Sequence, residues 1–294
     1  MSMKFRWLGY VCFEMVLPSG KVLVIDPYID YSPTAPVRCQ EVTGADYIAL
    51  THGHFDHVTD VGTLVKKFGS RVICSHDVAE PLTKLFNLEV GCINKVTAGD
   101  IVVFDDLRVE VKKGQHVDLR RVMETLYERV AGQQPDPDMP LAELMQIASP
   151  DLVQESNLEL NDMRERIRAV GLDGGEQLTF VFQATDNLRI CIYSSDAFEF
   201  LRQEVIDAHA SVIFSQVGAV SPRKAAEFAA LSGADVVVPT HHDGNGEEMM
   251  HRTAQAMARY LAANSSAYCL DIVPGQWYEM GVKVSPIRDT SSVA

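Results

Sequence analysis

The sequence predicts an α/β fold, and three observations carry that prediction. The chain opens with short strand-like runs separated by turn residues, and its last third alternates strand-like runs with helical ones. Hydrophobic residues make up 47% of its 294 positions, ample for a sizeable core. That length suits one large α/β domain or two small ones. No internal repeat, Walker loop, Rossmann glycine fingerprint or G-x-S-x-G elbow occurs, so nucleotide binding and serine-hydrolase chemistry lack their usual support.

Residues 3–8, 11–17 and 21–25 alternate or run apolar, with Pro18-Ser19-Gly20 as a turn, and read as an opening β-meander. Asp26-Pro27 closes it, Asp26 reading either as a loop cap or as a carboxylate holding a ligand histidine from behind. A strand from Tyr47 follows. Val61, Leu64, Val65 and Phe68 then recur at helical spacing within 58–68, which ends at Gly69. A strand at 71–74, a short helix at 79–86 and strands near 101–104 and 107–112 come next. His76 reads as an ordinary loop-end or capping histidine.

From Asp118 the character changes to apolar stripes at helical spacing, interrupted by a proline-rich stretch at 133–140 and ending at Gly174-Gly175. Residues 118–175 read as a helical insertion within a single domain spanning 1–294. An insertion longer than an ordinary connection is expected to be a lid, a binding element or an oligomer contact, or simply to cover core. Strands at 177–184 and 188–193 form a hairpin that exits into Ser194-Ser195-Asp196. A helix at 198–208, a strand at 211–214, a helix at 222–231 with Ser221 as its N-cap, and a strand at 236–238 then alternate. A helix at 247–262, a last strand at 268–272 and a frayed tail at 289–294 complete the reading.

The chemistry concentrates in Thr51-His52-Gly53-His54-Phe55-Asp56-His57, directly after an apolar run. Where a strand leaves its sheet, His52 and His54, two apart, can point into one site. Asp56 and His57 fall where the chain turns into a helix, project differently, and can serve a second ion nearby. Imidazole and carboxylate suit Zn²⁺, Mn²⁺ or Fe²⁺ alike. His116, just past a strand and beside Gly114, is placed like a further ligand. Pro239-Thr240-His241-His242-Asp243 sits at a later strand end; the spacing from the strand favours His241 over His242.

A formal charge of −14 argues against broad binding to nucleic acid or to anionic membrane surfaces. Six cysteines without C-x-x-C spacing read as buried thiols in a reducing compartment. Neither a membrane span nor a signal peptide is supported, so the expected location is the cytoplasm.

Together these residues resemble the metallo-β-lactamase superfamily, nearest its lactonase-like predicted metal-dependent hydrolases of the ascorbate-6-phosphate lactonase type. The likeness rests on the meander, on His52-x-His54-x-Asp56-His57, and on a later His, a later Asp and a final strand-end His. That subgroup opens with a Gly-His-Ser-Cys-Phe-like stretch and an Ile-Asp-Pro; here those places hold Gly9-Tyr10-Val11-Cys12-Phe13 and Ile25-Asp26-Pro27. Tyr10 thus stands where the subgroup has His.

The resemblance implies a four-layer αββα sandwich with two divalent ions, zinc or manganese first and iron as the alternative. His52, His54 and His116 would hold one ion, Asp56, His57 and His241 the other, and Asp196 would bridge them. Asp56 would be the catalytic residue, taking a proton from the attacking water. Tyr10, Asp26, His242 and Asp243 would touch substrate or support the ligands. The implied activity is metal-dependent hydrolysis of a small ester or lactone. Its alternatives are a phosphodiesterase acting on a small phosphate ester and an iron-dependent thiol or persulfide dioxygenase. The expected partners are a small-molecule substrate and, through the insertion, another copy of the chain.

Overall fold

The computed structural model describes residues 2–116, 158–172, 174–193, 202–217, 221–243, 246–281 and 284–286, with short runs and single positions between 123 and 147. Its strands form two mixed sheets. The first contains β1 (Met3–Trp7), β2 (Phe13–Val16), β3 (Val22–Ile25), β4 (Tyr47–Ala49), β5 (Arg71–Ser75) and β6 (Ile93–Val96), extended beyond β1 by β14 (Trp277–Met280) and β15 (Val284–Pro286). The second runs in the order β13-β12-β11-β10-β9-β8-β7. Here β7 is Ile101–Val103, β8 Arg108–Lys113, β9 Leu178–Thr185, β10 Leu188–Tyr193, β11 Val212–Gln216, β12 Val236–Thr240 and β13 Tyr268–Cys269.

Side chains of a strand alternate between its two faces, and here both faces of each sheet are covered. Phe180 and Phe182 of β9 point inward to meet Phe5, Trp7, Phe13 and Phe214 between the sheets, while Val181 points outward. The outer face of the first sheet, with Ile48 and Val72, is covered by α1 (Phe55–Val58), α2 (Val61–Phe68), α3 (His76–Phe86) and α4 (Leu158–Ala169). That of the second, with Cys191, Ile213 and Val237, lies under α5 (Arg202–Ile206), α6 (Pro222–Ala230) and α7 (Glu247–Asn264). The result is a four-layer αββα sandwich. Each fully buried aromatic ring of the inner layer contributes roughly 1.5–3 kcal/mol by leaving water.

Several boundaries differ from the sequence reading. The helix expected at 58–68 is two helices, α1 and α2, parted at Asp60, whose backbone leaves helical geometry (φ −103°, ψ 4°). The helix expected from 79 starts at His76, which is exposed. The strand expected at 268–272 is only β13, and β6, β14 and β15 were not anticipated. Of the insertion, α4 is the described helix, and most of 117–157 lies outside the described residues, as do 198–201 of the expected 198–208 helix and the tail at 289–294. Among the described residues no helix is long and apolar enough to cross a membrane.

Asp60 earns its departure from the helix by tying down the loop after β3. Its Oδ2 accepts from the Ile29 amide (2.7 Å), the Asp30 amide (3.2 Å) and the Thr59 hydroxyl (3.3 Å), and its Oδ1 accepts from the Cys39 thiol (3.4 Å). Asp30, Cys39 and Asp60 lie close enough to hold an ion. These hydrogen bonds already occupy Asp60, and burial pushes the Cys39 thiol up, so it stays protonated. Burial, helped by Asp30 and opposed by the Ile29 amide, raises the Asp60 carboxyl to about 6. In the unfolded chain it titrates near about 3.9. A raised pKa contributes stability that is complete below about 3.9 and is lost as pH rises towards 6. Asp60→Asn is therefore expected to gain on the parent by on the order of 2 kcal/mol between pH 4 and pH 7. Paired urea midpoints measure this, and a difference that ignores pH would contradict it.

Candidate metal centre

Three strand ends and one short helix deliver the candidate ligands. The chain leaves β4 through Leu50 and Thr51 to His52, leaves β8 through Gly114 to His116, and leaves β12 at Thr240 to reach His241. Asp56 and His57 lie in the first turn of α1, behind His54 at its N-cap. His241 (φ 58°), Asp26 (φ 42°) and Tyr10 (φ 48°) all hold left-handed backbone conformations, uncommon for residues with a side chain and often found at functional sites.

The structure brings these side chains into two triads, His52/His54/His116 and Asp56/His57/His241, with the ligand atoms of each within 4.8 Å of one another. In the first, His52 Nε2 lies 3.0 Å from His54 Nδ1, and the His116 ring centroid is 4.4 Å from that of His54. In the second, one carboxylate oxygen, Asp56 Oδ2, lies 3.5 Å from His57 Nε2 and 3.4 Å from His241 Nε2. A tetrahedral ion with bonds of about 2.0–2.1 Å sets its ligands roughly 3.3 Å apart. The donor spacing therefore fits one ion in each triad. Asp196 lies outside the described residues.

Charge supports the same reading. Burial, then the neighbouring His57, His54 and His116, push His52 well below its ordinary range, which favours the neutral imidazole that a metal ligand must be. Burial would raise the Asp56 carboxyl, but His57 and His241 outweigh it and hold Asp56 well below the usual carboxylate range. Burial would likewise lower His57, yet Asp56 and Asp26 on either side raise it to about 10. His57 Nε2 is thus the atom at which a proton and a cation would compete, so ion uptake here would release protons.

Behind His57 stands Asp26, fully buried. Its Oδ2 is 2.9 Å from His57 Nδ1 and accepts from the Thr51 hydroxyl (2.7 Å), and its Oδ1 accepts from the Thr51 amide (2.8 Å). Of the two sequence readings of Asp26, these contacts fit a carboxylate that holds a candidate ligand histidine from behind. Tyr10 faces His241 edge-on, with ring centroids 5.0 Å apart, and its carbonyl accepts from the His241 amide (2.9 Å). Asp243 accepts from the Tyr10 amide at 3.0 and 3.1 Å and from the Thr34 hydroxyl, so it staples the loop carrying Tyr10. His242 joins neither triad; it is stacked on Trp7 (5.1 Å), and burial pushes it down to about 4. Thr51 and Tyr28 escaped the sequence reading. Thr51 had a visible signal in its place at the strand end before His52. Tyr28, packed edge-on to Tyr10 and Phe55, had none.

Residues 21–132 match the family model of the β-lactamase superfamily domain. That stretch is similar to a β-lactamase superfamily domain. The matched stretch includes His52 to His57 and His116. Over 77 residues the chain is 43% identical to a UPF0173 metal-dependent hydrolase of Solibacter usitatus, a stretch that is 26% of this chain and 33% of that relative. Over 105 residues it is 35% identical to a UPF0173 metal-dependent hydrolase of Koribacter versatilis, covering 35% of this chain and 45% of the relative. The chain thus spans between a third and a half of the length of these curated relatives. In fold it is similar to Igni18, a metallo hydrolase from the archaeon Ignicoccus hospitalis. The TM-score is 0.66 at 15% identity, over 96% of this chain and 100% of that one.

Proposed function

We propose that this chain is a metal-dependent hydrolase that works with two divalent cations, zinc or manganese before iron, on a small ester or lactone. One observation carries the reading: two triads of nitrogen and carboxylate donors, each spaced for a single ion, lie side by side at the strand ends. The names of the Solibacter and Koribacter relatives support it. When bound, such cations acidify a water molecule and polarise the oxygen of the bond under attack. The chain's own residues supply the rest. Asp56, ionised by His57 and His241, is the group to take a proton from the attacking water and return it to the leaving oxygen. Asp26 and Thr51 hold His57 in one orientation. The −14 charge favours a small substrate over a polynucleotide. All six cysteines are unpaired, which supports a reducing compartment such as the cytoplasm.

Metal analysis of the purified chain is expected to give two ions, and His54→Ala to lose the ion of the His52/His54/His116 triad. A panel of lactones, esters, thioesters and phosphodiesters assayed with Zn²⁺ and Mn²⁺ then places the substrate class. Turnover indifferent to a chelator would sink the proposal, as would a His54→Ala variant that binds metal like the parent. A single tightly held iron with oxygen uptake on a thiol would replace it with the dioxygenase reading.

A further inference from the structure

Residues 174–178, which lead the chain into β9, touch both loops that bear the His52/His54/His116 triad. The Gly53 amide, between His52 and His54, donates to the Gly174 carbonyl at 2.6 Å. The Leu178 amide donates to the carbonyl of Thr51 (2.8 Å), and the amide of Gly114, two residues before His116, donates to the Gln177 carbonyl (2.9 Å). The segment is itself pinned from outside. The Glu176 amide donates to Asp77 Oδ2 (2.9 Å), and the Glu176 carboxylate accepts from the Thr97 hydroxyl (3.1 Å).

The approach leaves little room for side chains. A Cβ on Gly53 would lie 2.6 Å from Leu172 Cδ1 and 3.0 Å from the Gly174 carbonyl oxygen. A Cβ on Gly174 would lie 3.2 Å from His54 Nε2. His54 turns its Nδ1 to His52, so Gly174 stands against the opposite side of the same ring. The segment thereby ties the two loops together through backbone bonds and leaves, beside the His54 ring, a space that a side chain at 174 would crowd.

We propose that residues 174–178 are the positioning element of the His52/His54/His116 triad, with Gly174 as the positioning residue for His54. The inference rests on the metal-centre reading above. It makes ion binding at this triad and docking of the segment reciprocal, each strengthening the other.

The test uses the full chain and two variants. Gly171 and Gly174 both hold left-handed conformations (φ 73° and 81°), so alanine brings similar backbone strain at either. A Cβ on Gly171 meets nothing within 4 Å, whereas one on Gly174 meets His54. Zinc titrated against a competing chelator, and the visible spectrum of the cobalt-loaded chain, are expected to show one of two ions bound roughly 10- to 100-fold more weakly in Gly174→Ala. Gly171→Ala is expected to bind both as the parent does. In the parent, loading zinc is expected to slow hydrogen exchange at the Gly53, Gly114 and Leu178 amides, a readout that needs no variant. A parent with two ions but a Gly174→Ala that matches Gly171→Ala overturns this inference alone, as does exchange at those amides that ignores zinc. A parent that binds neither ion overturns the metal-centre reading and this inference with it.

Discussion

Asp56→Asn is expected to lower turnover by about 10³–10⁴-fold while the chain still folds. The substitution keeps the shape of the side chain and removes the charge that His57 and His241 share at Asp56 Oδ2. An amide can neither take a proton from water nor present two equivalent acceptor oxygens. The ion of the Asp56/His57/His241 triad is expected to weaken with it, because one of three donors becomes a poorer one. Initial rates on the best ester of the panel, with metal content measured on the same samples, check this. Parent-like turnover in Asp56→Asn would remove Asp56 from the proposed chemistry.

Asp26→Ala is expected to be the most damaging single change to stability, on the order of 3–5 kcal/mol. Asp26 is fully buried, and three donors end on it: the Thr51 amide, the Thr51 hydroxyl and His57 Nδ1. Truncation takes the shared acceptor from all three in a dry interior, and leaves the raised proton affinity of His57 without one of its two anions. It also puts alanine at φ 42°, a conformation that Asp and Asn tolerate better. Urea denaturation of the metal-free chain isolates this loss from any effect on ion binding. A loss below about 1 kcal/mol would mean that water replaces the carboxylate, against its complete burial.

How far the fold and centre could be read in advance depended on the distance over which each signal acts. Six consecutive residues, His52 to His57, declare their chemistry because the spacing itself sets their directions. His116 and His241 were readable only as residues at strand exits, a placement that follows once β8 and β12 are recognised from their apolar runs. Asp26 stood open between two roles because its partners, Thr51 and His57, meet it only when β3 pairs with β4 in parallel. Gly174 carried no signal at all. Its contact with His54 arises where distant stretches of chain cross, and a glycine pair reads locally as a helix end. The missed strands are of the same kind. Trp277–Met280 alternates between half-buried or exposed and buried positions, but four residues between two glycines fall below what periodicity can resolve. Asp60 broke a helical pattern that side-chain spacing alone would have continued, because its carboxylate finds backbone amides across the loop.

The arrangement of ligands at strand exits in both sheets also bears on how the chain reaches its native state. One triad draws on β4 and β8, which belong to different sheets, and the other pairs α1 with the end of β12. Neither can assemble from a local stretch, since each needs loops of large sequence separation to have closed first. A cation therefore has little to hold in the early ensemble and cannot act as a folding nucleus in the way that a short zinc module uses its ion. A cation bound at these triads would enter after the two sheets have docked and would then slow their separation, so its main effect on lifetime is expected in the unfolding rate rather than in the folding rate.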